Sequence, residues 1–409
     1  MAAETEVRVG RADDGTIRIT AAAPGTHRPA FTQAVLDVAG AVLVWPVAED
    51  PGPPTAYVHD VGRAQQWLWA VYGERTAAAV HACAAAEPDE LRAAADATAL
   101  AGSAARLAFG HWAARWWPAS YPDQIPALEP DVLGLELAAL SCQCQQLFDS
   151  DSLDDQPDDC AAQLIGEHQA GLDPLIRWWH SVPAPSDTAR LLENVLRLVD
   201  AAADNAGLDT TALRRLRSSL DQRPAPGGLF TRPGGPGGYA LAAGTAHVPS
   251  GRVIARGTGV NDWRRYPPGL VDAAENAVTW TARATGARRE IEVEVLADAV
   301  APAVGVPLVA EVRVDGGTAD RIRLGRRDDL WTGRADLNVP ATGQPHLDVQ
   351  VLLPGFDPGA GADVRADRDA IRSLVRRRLA AGAEPAPRTS PMGPFLAEIA
   401  AATTTEEDY

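Results

Sequence analysis

Six aspartates between residues 149 and 159 carry the main pattern for metal chemistry in this chain. Asp154, Asp155 and Asp158 follow the spacing i, i+1, i+4, which points three carboxylates in one direction when the backbone is helical. Carboxylate oxygens are the ligands that Mg²⁺ prefers, and a Mg²⁺ ion held in this way can bind a diphosphate. We therefore treat these three residues as a candidate Mg²⁺ site.

The stretch from Asp154 to Asp158, DDQPD, resembles the DDxxD motif by which isoprenoid synthases bind Mg²⁺. The resemblance implies a Mg²⁺-dependent enzyme that acts on a hydrophobic, isoprenoid-like substrate. Pro157 lies inside the motif, however, and disfavours the helix that would carry it. The chain also has no Lys to hold a diphosphate, since all 37 basic residues are Arg. A solvated loop between two helices is the alternative interpretation.

Four tryptophans, Trp112, Trp116, Trp178 and Trp179, form a second candidate group. Trp112 and Trp116 are four residues apart, which places them on one face of a predicted helix. Large aromatic side chains of this kind can line a pocket for a ligand or for a partner protein. The alternative is that they fill the space between Ala-rich helices.

A basic stripe is predicted on the last long helix, where Arg365, Arg368, Arg372 and Arg376 recur at helical spacing. Such a stripe is a candidate surface for docking an acidic partner. Pairing with the aspartates of the same helix is the alternative.

Cys142, Cys144, Cys160 and His168 offer four potential ligands for Zn²⁺. The C-x-C spacing is shorter than that of ordinary zinc pairs, and Cys144 lies on the apolar face of a helix predicted over 130–148. Buried thiols are therefore the favoured interpretation. We expect no cofactor, apart from Mg²⁺ if the aspartate run is an enzyme site.

The net charge of −17 is concentrated in the first part of the 409 residues. Residues 1–225 hold 31 acidic and 16 basic side chains, a net of −15, which disfavours nucleic-acid binding. The absence of Lys excludes pyridoxal-phosphate, Schiff-base aldolase and P-loop chemistry. The first residues lack a signal-peptide pattern, and no apolar run is long enough for a membrane span. We therefore expect a cytoplasmic protein that does not bind membranes.

Periodicity predicts the elements that position these candidates. Asp14-Gly15 separates two alternating runs and predicts a hairpin over residues 6–20. From about residue 61 to residue 221 the apolar residues recur at helical spacing, with one helix expected over 89–117. Beyond a Pro- and Gly-rich stretch the period changes to two, which is typical of an antiparallel sheet.

The predicted fold class is a multidomain α+β protein. It comprises a short N-terminal β element, an α-helical bundle and an antiparallel β-sandwich-like domain with a C-terminal helix. The expected limits are 1–60 for the β element packing on the helical domain, 61–222 for the helical domain, 223–238 for the linker, 239–382 for the sandwich-like domain and 383–409 for a disordered tail.

The leading functional hypothesis is a non-catalytic accessory or adaptor protein that binds other proteins in a bacterial system. It is motivated by the lack of HExxH, GxSxG and comparable catalytic motifs in the sequence, and by a sandwich type that often serves binding. One alternative is the Mg²⁺-dependent enzyme described above. Another is a structural subunit of a larger assembly; the pattern leaves the oligomeric state open.

Overall fold

The computed structural model describes residues 5–21, 30–49, 52–85, 90–148, 160–183, 186–221, 251–298, 305–337, 346–356, 364–383 and 392–404. The chain divides into two compact units, each discontinuous in sequence. The first, which we call the mixed unit, is drawn from 1–114, 128–235 and 366–409. The second, the β unit, is drawn from 115–127 and 236–365.

The mixed unit combines one sheet with a set of helices. Its strands are β1 Thr5–Arg11, β2 Ile17–Ala21, β3 Gln33–Val38, β4 Ala41–Pro46, β5 Thr55–Val58 and β6 Glu90–Ala95. Its helices are α1 Val61–Tyr72, α2 Glu74–Ala84, α3 Ala99–Trp116, α4 Pro130–Gln143, α5 Ala161–His168, α6 Leu172–Ser181, α7 Asp187–Asn205, α8 Thr211–Asp221, α9 Arg365–Ala383 and α10 Leu396–Thr404. The last two residues of α3 and the first residue of α9 are counted with the β unit.

The sheet of the mixed unit is antiparallel, with the strand order β3-β4-β5-β2-β1-β6. The predicted hairpin is formed by β1 and β2: Asp14 accepts a hydrogen bond of 2.9 Å from the Thr16 N–H, and Gly15 adopts φ 87°. One side of the strands is buried, as Val7 and Val9 show with no exposed surface. The alternation therefore sets which face packs on α2 and which face is directed outward.

Residues 90–95 correct the prediction of a continuous helix over 89–117. They form β6, which pairs with β1 in the register Val7↔Ala93, and only the part from residue 99 is helical. The Ala-rich composition favours a helix locally, but the free edge of β1 supplies hydrogen-bonding partners that are distant in sequence. Tertiary pairing outweighs the local propensity here.

Helix α4 is the most enclosed helix that the structure describes in the mixed unit. Residues 132–141 of α4 are buried on every side, and α4 packs against α5 and α7. Gly73 ends α1 at φ 84°, and its backbone N–H donates to the Trp69 carbonyl. A Cβ at Gly73 would lie 2.1 Å from a carboxylate oxygen of Asp96. The residue type is thus dictated by both conformation and space.

The limits predicted for the last helix and the tail are corrected by the structure. Residues from 366 onward belong to the mixed unit, not to the β domain expected over 239–382. The tail expected to be disordered over 383–409 contains α10, in which Leu396 has no exposed surface. The Ala- and Thr-rich composition did not predict this helix, because the helix is stabilised by burial against elements that are distant in sequence.

The β unit contains two antiparallel sheets. Its strands are β7 Arg252–Thr258, β8 Val278–Thr285, β9 Arg288–Leu296, β10 Val309–Val314, β11 Ala319–Arg323, β12 Gly325–Arg327, β13 Leu330–Asp336 and β14 Leu347–Leu352. They form a five-stranded sheet, β12-β13-β9-β8-β7, and a three-stranded sheet, β11-β10-β14. The predicted period of two is confirmed in β9, where Ile291, Val293 and Val295 are fully buried.

The structure therefore shows mixed α and β architecture with three antiparallel sheets among the described residues. A sandwich arrangement of the last two sheets and a bundle arrangement of the helices stay predictions. In the described part of the chain, none of the helices combines the length and the apolar character that crossing a membrane requires.

Candidate functional site

The aspartate run with Asp154, Asp155 and Asp158 lies outside the described residues. The Mg²⁺ site therefore stays a prediction. Within the described ranges, no group of three or more His, Cys, Asp or Glu side chains is placed to hold a metal ion.

The four potential zinc ligands Cys142, Cys144, Cys160 and His168 do not form a metal-binding group in the described part of the chain. Cys144 is fully buried, and burial raises the pKa of its thiol to about 12. Burial also raises the pKa of Cys142. His168 lies against Gly134 and its Nδ1 is 3.0 Å from a carboxylate oxygen of Asp131. Of these three cysteines only Cys144 is buried, whereas Cys142 and Cys160 are partly exposed.

The four tryptophans do not share one environment. Trp112 is 3 % exposed and donates a hydrogen bond of 2.7 Å from Nε1 to the Phe31 carbonyl. Trp178 and Trp179 are buried on α6, which packs against α7 and α8. Trp116 belongs to the β unit, where the Arg115 guanidinium lies 3.9 Å from the centre of its ring. Three of the four are core side chains, as expected if they fill space between Ala-rich helices.

Two of the four arginines predicted to form a docking stripe on α9 are buried, so the docking surface stays a prediction. Arg368 is 1 % exposed and Arg372 is 4 % exposed, whereas Arg365 and Arg376 are exposed. The buried face of α9 also carries Ile371, and the spacing of the arginines coincides with this face. Arg372 pairs with Asp369 at 3.1 Å. Helical spacing alone does not tell a solvated stripe from a buried one.

The most developed polar site of the mixed unit is a cluster of four charged side chains, which we call the charged cluster. It consists of Arg106 on α3, Glu136 on α4, Arg378 on α9 and Glu398 on α10. Glu136 is 1 % exposed and Glu398 is fully buried. Buried charges are rare without partners, and here each carboxylate faces an arginine.

The charged cluster holds residues 392–404, which we call the docked segment. Arg378 makes a two-pronged bond to Glu398, from Nε and Nη2 to the two carboxylate oxygens, each 2.6 Å long. Arg106 lies 3.4 Å from the nearer carboxylate oxygen of Glu136. The other carboxylate oxygen of Glu136 accepts a hydrogen bond of 3.3 Å from the Ala397 N–H. The two ion pairs thus meet at the start of α10.

Burial raises the pKa of Glu136 to about 7, and this is the largest effect on the group. The positive charge of Arg106 and the N–H groups of Ala397 and Leu396 oppose the shift, while the negative charge of Glu398 adds to it. The carboxyl group therefore changes its protonation state near neutral pH while fully enclosed.

A second feature is an apolar surface on the outer face of the six-stranded sheet. Its members are Val35, Val42, Val44 and Tyr57, and we call them the apolar patch. Val35 is 44 % exposed and Tyr57 is 38 % exposed. The register pairs Val35 with Val44 and Val42 with Tyr57, so the four side chains are neighbours on three adjacent strands.

The β unit has a buried polar site on the irregular segment 259–277. Asn261 has no exposed surface, and its side-chain nitrogen donates to the carbonyls of Asp272 and Ala274 at 2.9 and 2.7 Å. Its side-chain oxygen accepts a hydrogen bond from the Tyr266 hydroxyl. Burial raises the pKa of the Asp272 carboxyl, which accepts a hydrogen bond of 2.8 Å from the Tyr121 N–H. These bonds fix the backbone of the segment, a structural use of polar groups.

Sequence reasoning missed the charged cluster and the apolar patch. Glu136 carries a usable signal, because it is an acid inside the apolar run VLGLELAAL. Glu398 carries a weaker one, as the only charged residue of the stretch MGPFLAEIAAATT. The outward position of Val35 and Tyr57 follows from strand register, which the sequence does not contain.

Comparison of the chain with protein-family models, with curated proteins and with solved structures gives no match.

Proposed function

We propose that the protein is a non-catalytic adaptor that binds other proteins, and that the apolar patch is one of its contact surfaces. The observation that carries the proposal is the exposure of Val35 on β3 and Tyr57 on β5, joined by the half-buried Val44 and Val42 on β4, on a sheet whose opposite face is buried. Exposed apolar groups that adjoin one another, in contrast to single ones, mark surfaces at which partners bind.

The surroundings of the patch have the composition of a binding surface. Val42 links Asp37 on β3 with Tyr57 on β5 in one row across the strands, and the register continues to Arg18 on β2. Asp37 and Arg18 are exposed, and the Arg18 guanidinium lies 5.1 Å from the centre of the Tyr57 ring. An apolar centre that contains a Tyr, with charged residues of both signs at its rim, is typical of protein–protein interfaces.

The partner expected from this chemistry is a folded protein with an apolar surface of its own. Side chains that lie side by side on three strands fit a second protein surface, whereas small ligands bind in concave pockets. The charged rim would fix the orientation of the partner and affect its rate of association.

The test is a comparison of two single-residue variants. Val35→Asp places a charge in the patch, and Val253→Asp places one at an equally exposed valine of the β unit, 45 % exposed on β7. Proteins retained from the native host by the wild type should be retained by V253D and lost with V35D. The retained proteins are then purified and their binding is measured directly.

Equal retention by both variants would contradict the proposal. Light scattering of the purified wild type and of V35D checks whether the partner is a second copy of the chain. A particle mass that falls to that of one chain only in V35D would assign the patch to self-association instead of to an adaptor role.

A further inference from the structure

We infer that the groove holding the docked segment is a peptide-recognition site, occupied in cis by this chain's own residues 392–404. The ligand class it fits is a segment with an aromatic residue directly before a short helix whose third residue is Glu. This site lies in the mixed unit, and the inference does not depend on the apolar patch.

Two arginines from different helices bind the backbone of the docked segment. Arg106 donates to the carbonyls of Gly393 and Pro394 at 2.6 and 3.1 Å. Arg378 donates to the carbonyls of Met392 and Gly393 at 3.0 and 3.3 Å. Charge-assisted bonds to main-chain carbonyls hold a segment in place whatever its side chains are. Recognition at these positions is therefore of backbone, as in peptide-binding grooves.

The ring of Phe395 supplies the apolar anchor. Phe395 is fully buried, and its ring lies 6.1 Å from that of Phe109 at an interplanar angle of 7°. The guanidinium of Arg106, which lies on α3, is 4.5 Å from the centre of the Phe395 ring. A Cβ at Gly110 would lie 3.3 Å from the Phe395 ring, so this glycine leaves room for it. An enclosed aromatic ring of this kind is the usual dominant contact of a bound peptide.

Glu398 supplies a second, charged anchor. Its carboxylate is bound by Arg378 and also accepts a hydrogen bond of 2.7 Å from the Phe395 N–H. The latter bond closes the start of α10 in the manner of a capping box. The docked segment thus brings its own helix cap, and the Phe-Leu-Ala-Glu stretch at 395–398 combines cap, aromatic anchor and charge in four residues.

The groove is costly to leave empty. Removal of the docked segment would take the bound carbonyls from Arg106, the carboxylate of Glu398 from Arg378 and the Ala397 N–H from Glu136. A buried charge that loses its partner is strongly destabilised. A helix of nine residues is marginal by itself, so the segment also gains its structure by binding. Both facts favour an exchange of one segment for another over an open groove.

The experiment uses the full chain and a fluorescent peptide with the sequence of residues 392–404. Phe395→Ala weakens the cis segment, so the peptide should bind this variant at least about tenfold more tightly than the wild type in fluorescence anisotropy. A peptide with Ala in place of its Phe should not bind. Adding Arg378→Met to the F395A chain should also abolish binding.

Two further measurements keep the test decisive if F395A fails to fold by circular dichroism. The first is to use Glu398→Gln, which keeps the shape of the side chain, in place of F395A as the variant with a weakened cis segment. In the wild type, an excess of unlabelled peptide should accelerate hydrogen exchange within α10. Absence of peptide binding by a folded variant, together with unchanged exchange in α10, would overturn the inference.

Discussion

The buried carboxyl group of Glu136 links the stability of the fold to pH. It lies on α4 between residues that are all buried, with Arg106 at 3.4 Å and the start of α10 beside it. Its carboxyl has a pKa of about 7 in the fold, compared with 4.5 for an ordinary Glu. A raised pKa means that the folded state binds the proton more tightly than the unfolded state, so folding is favoured at low pH.

The first prediction concerns this linkage. The stabilisation is fully present below pH 4.5 and is lost as pH rises to about 7, which amounts to at most about 3 kcal/mol. Glu136→Gln removes the titration, so its free energy of unfolding should depend less on pH by that amount between pH 4.5 and 7. Urea unfolding across this range, with Glu129→Gln as a control for the loss of one exposed carboxylate, measures the difference. Parallel pH profiles for E136Q and wild type would contradict the account.

The second prediction concerns Gly110. A Cβ there would lie 2.4 Å from Cδ2 of Leu137 and close to Phe395, inside a packed region. Gly110→Ala should therefore destabilise the mixed unit by about 1–3 kcal/mol, despite the better helix propensity of Ala. The matched control is Gly166→Ala on α5, where a Cβ meets no atom within 4 Å and stability should rise by about 0.5–1 kcal/mol. Thermal unfolding of both variants checks the opposite signs.

At the scale of the residue, the sequence indicated which charged residues are unusual, but it did not indicate which residues they contact. An acid within the apolar run of α4 indicates a buried carboxylate, but its contacts with Ala397 join residues 261 positions apart. The helical spacing of Arg368 and Arg372 is compatible with an exposed face or with a buried face of α9. The structure places both on the buried face. Which of the two holds depends on neighbours that are distant in sequence.

At the scale of the element, the strongest local signals were sufficient. The hairpin around Asp14-Gly15 and the alternation in β9 have the predicted form, because turn chemistry and one-sided burial are both local in sequence. β6 and α10 were missed, since each is stabilised by a surface that other parts of the chain provide. Ala-rich composition is compatible with either outcome.

The irregular segment 259–277 gives the third prediction. Asn261 there makes three buried side-chain hydrogen bonds that join the carbonyls of Asp272 and Ala274 to Tyr266. Asn261→Ala removes these three buried hydrogen bonds and should destabilise the β unit by about 2–4 kcal/mol. Asn205→Ala, at the exposed end of α7, is the control and should change stability by less than about 0.5 kcal/mol.

Hydrogen exchange locates the effect of Asn261→Ala. Faster exchange is expected at the N–H groups of Asp272 and Ala273, which bind the carbonyls of Leu296 and Ala119. Unchanged exchange at these positions would show that the side-chain bonds of Asn261 do not hold the segment.

At the scale of the whole molecule, the prediction of one domain after another was too simple. The linker predicted over 223–238 lies outside the described residues and stays a prediction. The β unit takes in residues 115–127, and the mixed unit takes in residues from 366 onward. Composition and periodicity describe stretches of chain in order, so they do not reveal units assembled from separate stretches.

The proposed function also belongs to this scale, because it depends on how three strands combine into one surface. Site-specific photocrosslinking in the native host tests it most directly. A benzophenone amino acid is placed at Tyr57 in the apolar patch or at Phe356 in the β unit. Both rings are 38 % exposed, and each lies under an arginine, Arg18 or Arg115. Discrete adducts with partner proteins should form from position 57 and not from position 356. No adduct at position 57, or the same adducts at both positions, would contradict the adaptor role of the patch.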